Sequence, residues 1–203
     1  LELLVVGCGP AGLSASLHAL HHGLRFLTLE KEPDIGGAVR SYPRKKIVMT
    51  GSVKVPGYGR LALGEVRKER LVEIWADVVA RTGLRVRTGE TVRRIARDDD
   101  GFFTVSATSG TFRAARVLLA IGRRGTPRKL GVAGEETGPV VYSLEDPAIY
   151  AGDRCVVVGG GDSAVEAALA LAEQPGTRVR LSYRGEKLSR VKEATRLRFQ
   201  DAV

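Results

Sequence analysis

The chain of 203 residues predicts an α/β fold built from two Rossmann-like halves, the second incomplete. Two glycine-rich turns of one kind carry that expectation: Gly7-Cys8-Gly9-Pro10-Ala11-Gly12 and Gly159-Gly160-Gly161-Asp162-Ser163-Ala164, opening 152 residues apart. Each stands directly behind a short aliphatic run and ahead of an Ala/Leu-rich helical stretch. In such a turn the first glycine permits the tight bend, the second lets a backbone approach a pyrophosphate, and the small third residue lets helix pack on strand. The phosphate then rests on the N-terminus of the following helix, where free N–H groups and the helix dipole favour negative charge.

Along the chain, Leu3-Leu4-Val5-Val6 is an apolar run of the parallel-strand type. A helix is predicted from about Pro10 to His22, ended by Gly23. Arg25 to Glu30 reads as the next strand, and Glu30 lies 18 residues past Gly12, near the spacing at which a carboxylate accepts hydrogen bonds from a ribose diol. Residues 31–64 hold no clear long element and read as a loop-rich, ligand-contacting stretch, with Gly36-Gly37 its most pointed feature. Gly64 to Thr82 is an amphipathic helix whose stripe of Leu71, Ile74, Trp75, Val78 and Val79 faces a core. Short strands come next at Leu84 to Arg87, Thr91 to Ala96, Phe102 to Ala107 and Arg116 to Ile121, with Asp98-Asp99-Asp100-Gly101 as a hairpin turn. They read as an antiparallel insertion near 84–114 that returns to the sheet and ends in small residues at Gly122. A polar linker leads to a second βαβ unit: Arg154 to Val158, Asp162 to Glu173, Thr177 to Tyr183. One βαβ cannot close a full Rossmann core, so the chain reads as a fragment, a first domain over 1–123 and an incomplete second over 124–203.

Composition narrows the function classes. No apolar run approaches the roughly 20 residues a membrane span requires. A net charge of +9 raises the question of a nucleic-acid partner. The arginines are scattered singly or in pairs (Arg93-Arg94, Arg123-Arg124, Arg196 with Arg198), and 5% aromatics provide no stacking platform, so a solvated basic surface is expected instead. Lys45 and Lys46 read the same way. Cys8 and Cys155 form neither a metal quartet nor a CxxC pair and fit a reducing cytoplasm. Cys8 reads as a small buried hydrophobe, although its place at a helix N-terminus would lower its thiol pKa. His18 and His22 stand four apart on the first helix without a third ligand, and no metal site is expected.

Taken together, these residues resemble the thioredoxin-reductase-like branch of the pyridine nucleotide-disulfide oxidoreductases over nearly the whole chain. The resemblance rests on Gly7 to Gly12 with Glu30, on Gly36-Gly37, on Leu119-Ala120-Ile121-Gly122, and on Val158 to Glu166. It implies the FAD/NAD(P)-binding fold, with FAD on the first domain and NADPH on the second. The implied FAD contacts are Gly7, Gly9, Pro10, Ala11, Gly12, Glu30, Lys31, Gly36, Gly37, Ala120, Ile121 and Gly122. The implied NADPH contacts are Gly159, Gly161, Asp162, Ser163, Ala164, Glu166, Tyr183, Arg184 and Arg190. Where an NAD site would carry an acid, this chain has Tyr183-Arg184 and then Arg190, and guanidinium groups match a 2′-phosphate. The family pattern of two adjacent arginines is here Arg184-Gly185.

Residues 141–146 read Val-Tyr-Ser-Leu-Glu-Asp where thioredoxin reductases carry a redox CxxC, so no internal dithiol relays electrons. The chain is more similar to relatives without that pair, the ferredoxin-NADP reductases of this fold and the bacillithiol disulfide reductases. The expected activity is an NADPH-dependent flavoprotein reductase passing electrons to a small-molecule disulfide or a small redox protein, with no nucleic-acid or membrane partner and a homodimer left open. A flavin monooxygenase and a non-catalytic NADP(H)-sensing module are the alternatives. Hydride transfer needs no side-chain acid or base, so no catalytic residue is assigned.

Overall fold

The computed structural model describes residues 1–123, 125 and 127–202; Arg124, where the sequence places the second domain's start, lies outside them. The chain divides into two units, Leu1–Leu130 and Gly131–Val203.

The first unit is organised by strand β1 (Leu3–Val6), which leads through the glycine turn into α1 (Pro10–His21) and β2 (Phe26–Leu29). Residues 31–64, expected from sequence to be loop, contain short hairpin strands β3 (Ile47–Met49), β4 (Val53–Val55) and β5 (Gly59–Leu61). Three residues are too few to reveal an alternation, which is why these strands are silent in the sequence. β6 (Glu65–Arg67) pairs with β3, so the predicted helix starts late, as α2 (Lys68–Thr82). It ends at Gly83, whose φ of +67° closes the helix in the left-handed region.

Next come β7 (Val86–Arg87), β8 (Arg94–Arg97), β9 (Phe103–Ala107), β10 (Gly110–Ala114) and β11 (Val117–Leu119). The main sheet has the order β11-β1-β2-β7, all parallel. Leu84 to Arg87 therefore belongs to this sheet through β7 and not to the antiparallel insertion, which is β8-β9-β10. β10 has no clear signal in the sequence, because Gly110-Thr111-Phe112-Arg113-Ala114 carries only one large apolar residue. The hairpin turn at 98–101 stands where expected, closed by Asp98 and Phe102.

Successive strand residues point to opposite faces. Leu4 and Val6, with Leu29, pack against Val105, Ala107 and Ala114 of the insertion. On the helical side Cys8, Leu13, Leu17, Ile74, Val78 and Leu84 form a second cluster, with Trp75 packed against it. Between α1 and β2, Ser16 Oγ donates to the Gly12 carbonyl at 2.7 Å and meets Thr28 Oγ1 at 2.7 Å, both side chains fully buried.

The second unit holds β12 (Arg154–Val158), α3 (Asp162–Ala172), β13 (Arg178–Ser182) and α4 (Glu193–Asp201). β12 and β13 are parallel. Val165, Leu169 and Val191 form its core with Leu181, Leu188 and Phe199. The other face of this two-stranded sheet stays open, with Val156 64% and Val158 52% exposed. Among the described residues no helix is long and apolar enough to cross a membrane.

The expectation of a lowered Cys8 pKa fails. The thiol is fully buried, and burial together with the nearby Glu30 charge pushes it up to about 12. At pH 8 Cys8 is therefore expected to resist iodoacetamide in the native protein and react once unfolded, while half-buried Cys155 is alkylated first, as mass mapping would show. A raised thiol pKa means the folded state holds its proton more tightly, so the contribution is complete below about pH 9 and is lost as pH rises toward 12. Cys8→Ala should flatten the fall of the urea midpoint across that window. Leu4→Ala, at a fully buried site, should cost about 2–5 kcal/mol in the same measurement.

Candidate functional site

Three backbone turns converge on the start of α1. Gly7 has φ +97°, and a Cβ there would stand 2.5 Å from the Ala120 carbonyl oxygen. A Cβ on Gly12 would overlap the Gly7 carbonyl oxygen. These two positions are closed to any larger residue. Gly9 differs, since the nearest atom to a Cβ there is Gly37 Cα at 3.8 Å. Gly37 itself has φ +53° and faces Gly9 from the other side, and the preceding Gly36 N–H donates to the Cys8 carbonyl at 3.0 Å. Gly36 lies against the Trp75 ring, which α2 supplies. The Ala120 amide donates to the Val6 carbonyl, bringing Ala120 to the turn, while Ile121 and Gly122 continue outward, exposed.

α1 begins with Gly9 as N-cap and no side chain caps it. Pro10 has no N–H to give, so Ala11 and Gly12 offer the free amides of its first turn. Glu30, only 4% exposed, sits at the end of β2 and accepts the Cys8 amide at 2.6 Å and the Glu32 amide at 3.0 Å. Each carboxylate oxygen keeps a second acceptor position. Lys31 is exposed and pairs with Glu32 at 3.4 Å. The glycine turn packed closely against Gly37, the uncapped helix and the fixed carboxylate fit a dinucleotide: phosphate on the amides, ribose diol on Glu30.

The second unit repeats the device with other flanks. Gly159 has φ +149°, and a Cβ on it would lie 2.9 Å from Ala164 Cβ, so small residues at both positions let α3 approach β12. No atom lies within 4 Å of where a Cβ on Gly161 would stand, and α3 has no side-chain cap. Asp162 instead accepts the Lys192 amide at 2.9 Å, and Gly161 forms a parallel bridge with Arg190. These contacts carry Arg190 to the mouth of the turn. Ser163 is exposed, whereas Ala164 and Glu166 are half-buried along α3. Arg184 and Arg190 are exposed on the segment after β13.

Two glycines that sequence reasoning passes over belong to this site. Tyr183 is half-buried, and its ring occupies the positions that Cβ atoms on Gly160 and Gly185 would need. The Tyr183-Arg184-Gly185 triplet is the available signal, a glycine following directly where the ring lies against the backbone. A shallow cleft lined by Lys187, Leu188, Ser189, Arg196, Phe199 and Gln200 lies in the same unit and has no signal in the sequence. Among the described residues no group of three or more His, Cys, Asp or Glu could hold a metal ion.

Comparison with known proteins identifies the family and the fold. A ferredoxin–NADP reductase from Ignicoccus hospitalis is 31% identical over 187 residues, covering 92% of this chain and 57% of the relative. One from Limosilactobacillus reuteri is 32% identical over 192 residues, covering 92% and 54%. The chain thus spans about half the length of the curated relatives it matches. Among solved structures, a bacillithiol disulfide reductase from Staphylococcus aureus superposes with a TM-score of 0.87 at 25% identity, covering 99% of this chain and 62% of that one. A thioredoxin reductase from Lactococcus lactis gives 0.74 at 26% identity, covering 97% and 60%. Residues 4–201 match the family described as pyridine nucleotide-disulphide oxidoreductase, and the chain belongs to that family.

Proposed function

We propose that this chain is the dinucleotide-binding core of a flavoprotein reductase that takes hydride from NADPH onto FAD and passes electrons to a disulfide or redox-protein acceptor. One observation supports it above the rest: two cradles of the same backbone design have flanks of opposite charge. Glu30 stands at the first and the exposed Arg184 and Arg190 at the second. A carboxylate suits a ribose diol and would repel a 2′-phosphate, whereas guanidinium groups suit that phosphate. FAD is therefore assigned to residues 1–123 and NADPH to 124–203, and the division at Leu130 and Gly131 supports two separate binding units.

When bound, the flavin and nicotinamide supply the redox chemistry. The protein's part is binding and alignment. The amides at the starts of α1 and α3 hold phosphate oxygens. The Cys8 and Glu32 amides fix the Glu30 carboxylate in position, where it would accept the ribose hydroxyls. Gly36 and Gly37, wedged between Trp75 and Gly9, shape the first cradle's rim. The ferredoxin–NADP reductases among the relatives favour a small redox protein as acceptor. The two free cysteines suit a cytoplasmic setting.

Anaerobic titration of the FAD-reconstituted full-length protein with NADPH should bleach the flavin's visible absorbance; no bleaching would overturn the proposal. Arg184→Ala and Arg190→Ala should each raise KM for NADPH about tenfold while leaving KM for NADH nearly unchanged, the loss of one charge-assisted hydrogen bond. Glu30→Gln should weaken FAD retention by about tenfold in equilibrium dialysis on the same grounds.

A further inference from the structure

Most of the chain's net positive charge is concentrated in one stretch that the proposed hydride path does not use. Residues 40–70 hold nine Lys and Arg against two Glu, a net +7 of the chain's +9. The stretch starts just beyond Gly36-Gly37 at the first cradle, forms the hairpins β3-β6 and β4-β5, and runs into α2. Its beginning is tied down. Lys68 Nζ donates to the Arg40 carbonyl at 3.1 Å and to the Tyr42 carbonyl, and Glu69 accepts the Lys45 amide at 2.9 Å. Lys45 is held at φ +62°, in the left-handed region that favours glycine.

The hairpins have a buried and a presented side. Val55, Tyr58, Leu61 and Leu63 pack on the helical-side core. On the opposite side of the β4-β5 ladder Lys54 stands directly across from Arg60. Like charges in that position destabilise a strand pair. Among the described residues no carboxylate reaches ion-pair distance of either; Arg60 touches only Ser52 Oγ, at 3.3 Å. Large apolar side chains are presented by the same segment, with Met49 75%, Ile47 58% and Val53 52% exposed. Unneutralised cations beside exposed apolar groups suit a surface that is steered to its partner by charge and then desolvated.

We propose that residues 44–67 form the docking surface for an acidic protein, the acceptor to which the reductase passes its electrons; this rests on the function proposed above. Charge complementarity sets the sign of the partner, and continuity with Gly36-Gly37 puts the surface at the rim of the flavin cradle. The two tyrosines of the stretch offer no ring for base stacking, since Tyr42 lies under Lys46 and Tyr58 is covered by Arg81 and bonded to Asp77. A folded acidic protein therefore fits better than single-stranded nucleic acid. A lipid surface fits less well, because the amphipathic helix α2 spends its apolar face on the core.

The test uses the FAD-loaded full-length protein, NADPH, and two acceptors: an acidic ferredoxin, and neutral menadione as a small acceptor needing no docking surface. Lys54→Glu/Arg60→Glu should raise KM for ferredoxin at least about tenfold and flatten its salt dependence, leaving menadione turnover within about twofold of wild type. Lys54→Gln/Arg60→Gln should fall between, and an unchanged urea midpoint shows that both variants are folded. An unaltered KM for ferredoxin, or an equal rise from Arg94→Glu on the distant insertion, would overturn the proposal. So would binding to anionic phosphatidylglycerol vesicles or duplex DNA that these substitutions abolish while ferredoxin kinetics stay the same. If wild type reduces menadione but neither reduces nor binds ferredoxin, the docking surface is refuted and the flavoprotein reading survives; if NADPH leaves the flavin unbleached, the flavoprotein reading itself is refuted.

Discussion

The Glu30 carboxylate is the interaction on which the first unit's architecture turns. A charge this deeply buried would be costly without partners, and two backbone amides at 2.6 and 3.0 Å supply them. One of those amides belongs to Cys8 in the glycine turn, so the end of β2 and the loop after β1 are locked together. Burial, and after it this same charge, pushes up the pKa of the Cys8 thiol. With the turn held, Gly7 and Gly12 can approach each other and Ala120 at distances that exclude any side chain. Ser16 and Thr28 repeat the link from α1 to β2 one layer deeper. Steric exclusion and a buried charge thus shape one cradle jointly.

The second unit reaches a similar backbone shape with a different lock. Here an aromatic ring fills the space denied to side chains at Gly160 and Gly185, and Asp162 accepts the Lys192 amide across the mouth. Among the described residues no buried carboxylate stands at the end of β13. Its place is taken by exposed arginines, one of them brought to the turn through the Gly161–Arg190 bridge. The two units differ in the residues at the C-terminal end of the second strand, Glu30 in the first and Tyr183-Arg184 in the second, while the turns themselves are near copies.

The basic hairpins between the two glycine motifs add an element that neither cradle requires. Their inner residues complete the helical-side core, which accounts for their folding but not for a like-charge pair across β4 and β5. A cost retained on a presented face is a sign of use elsewhere.

Much of this is legible in the sequence because it rests on local rules. Glycines at fixed offsets behind apolar runs mark both βαβ units, the spacing to Glu30 marks an acidic strand end, and the stripe Leu71, Ile74, Val78 marks a core helix. Strands of two or three residues are not legible, because alternation needs length; β3 to β6 have no sequence signature, and β7 reads as part of the wrong sheet. Tertiary structure alone decides that Glu30 is tied to the Cys8 amide, that the Cys8 thiol pKa is raised and not lowered, that Gly160 and Gly185 lie against the Tyr183 ring, and that Lys54 faces Arg60. The Glu30–Cys8 bond and the Tyr183 ring on Gly160 join groups distant in sequence, and the free energy of such a contact arises when burial removes water from between them, whereas Lys54 meets Arg60 on an exposed face through the register of one hairpin.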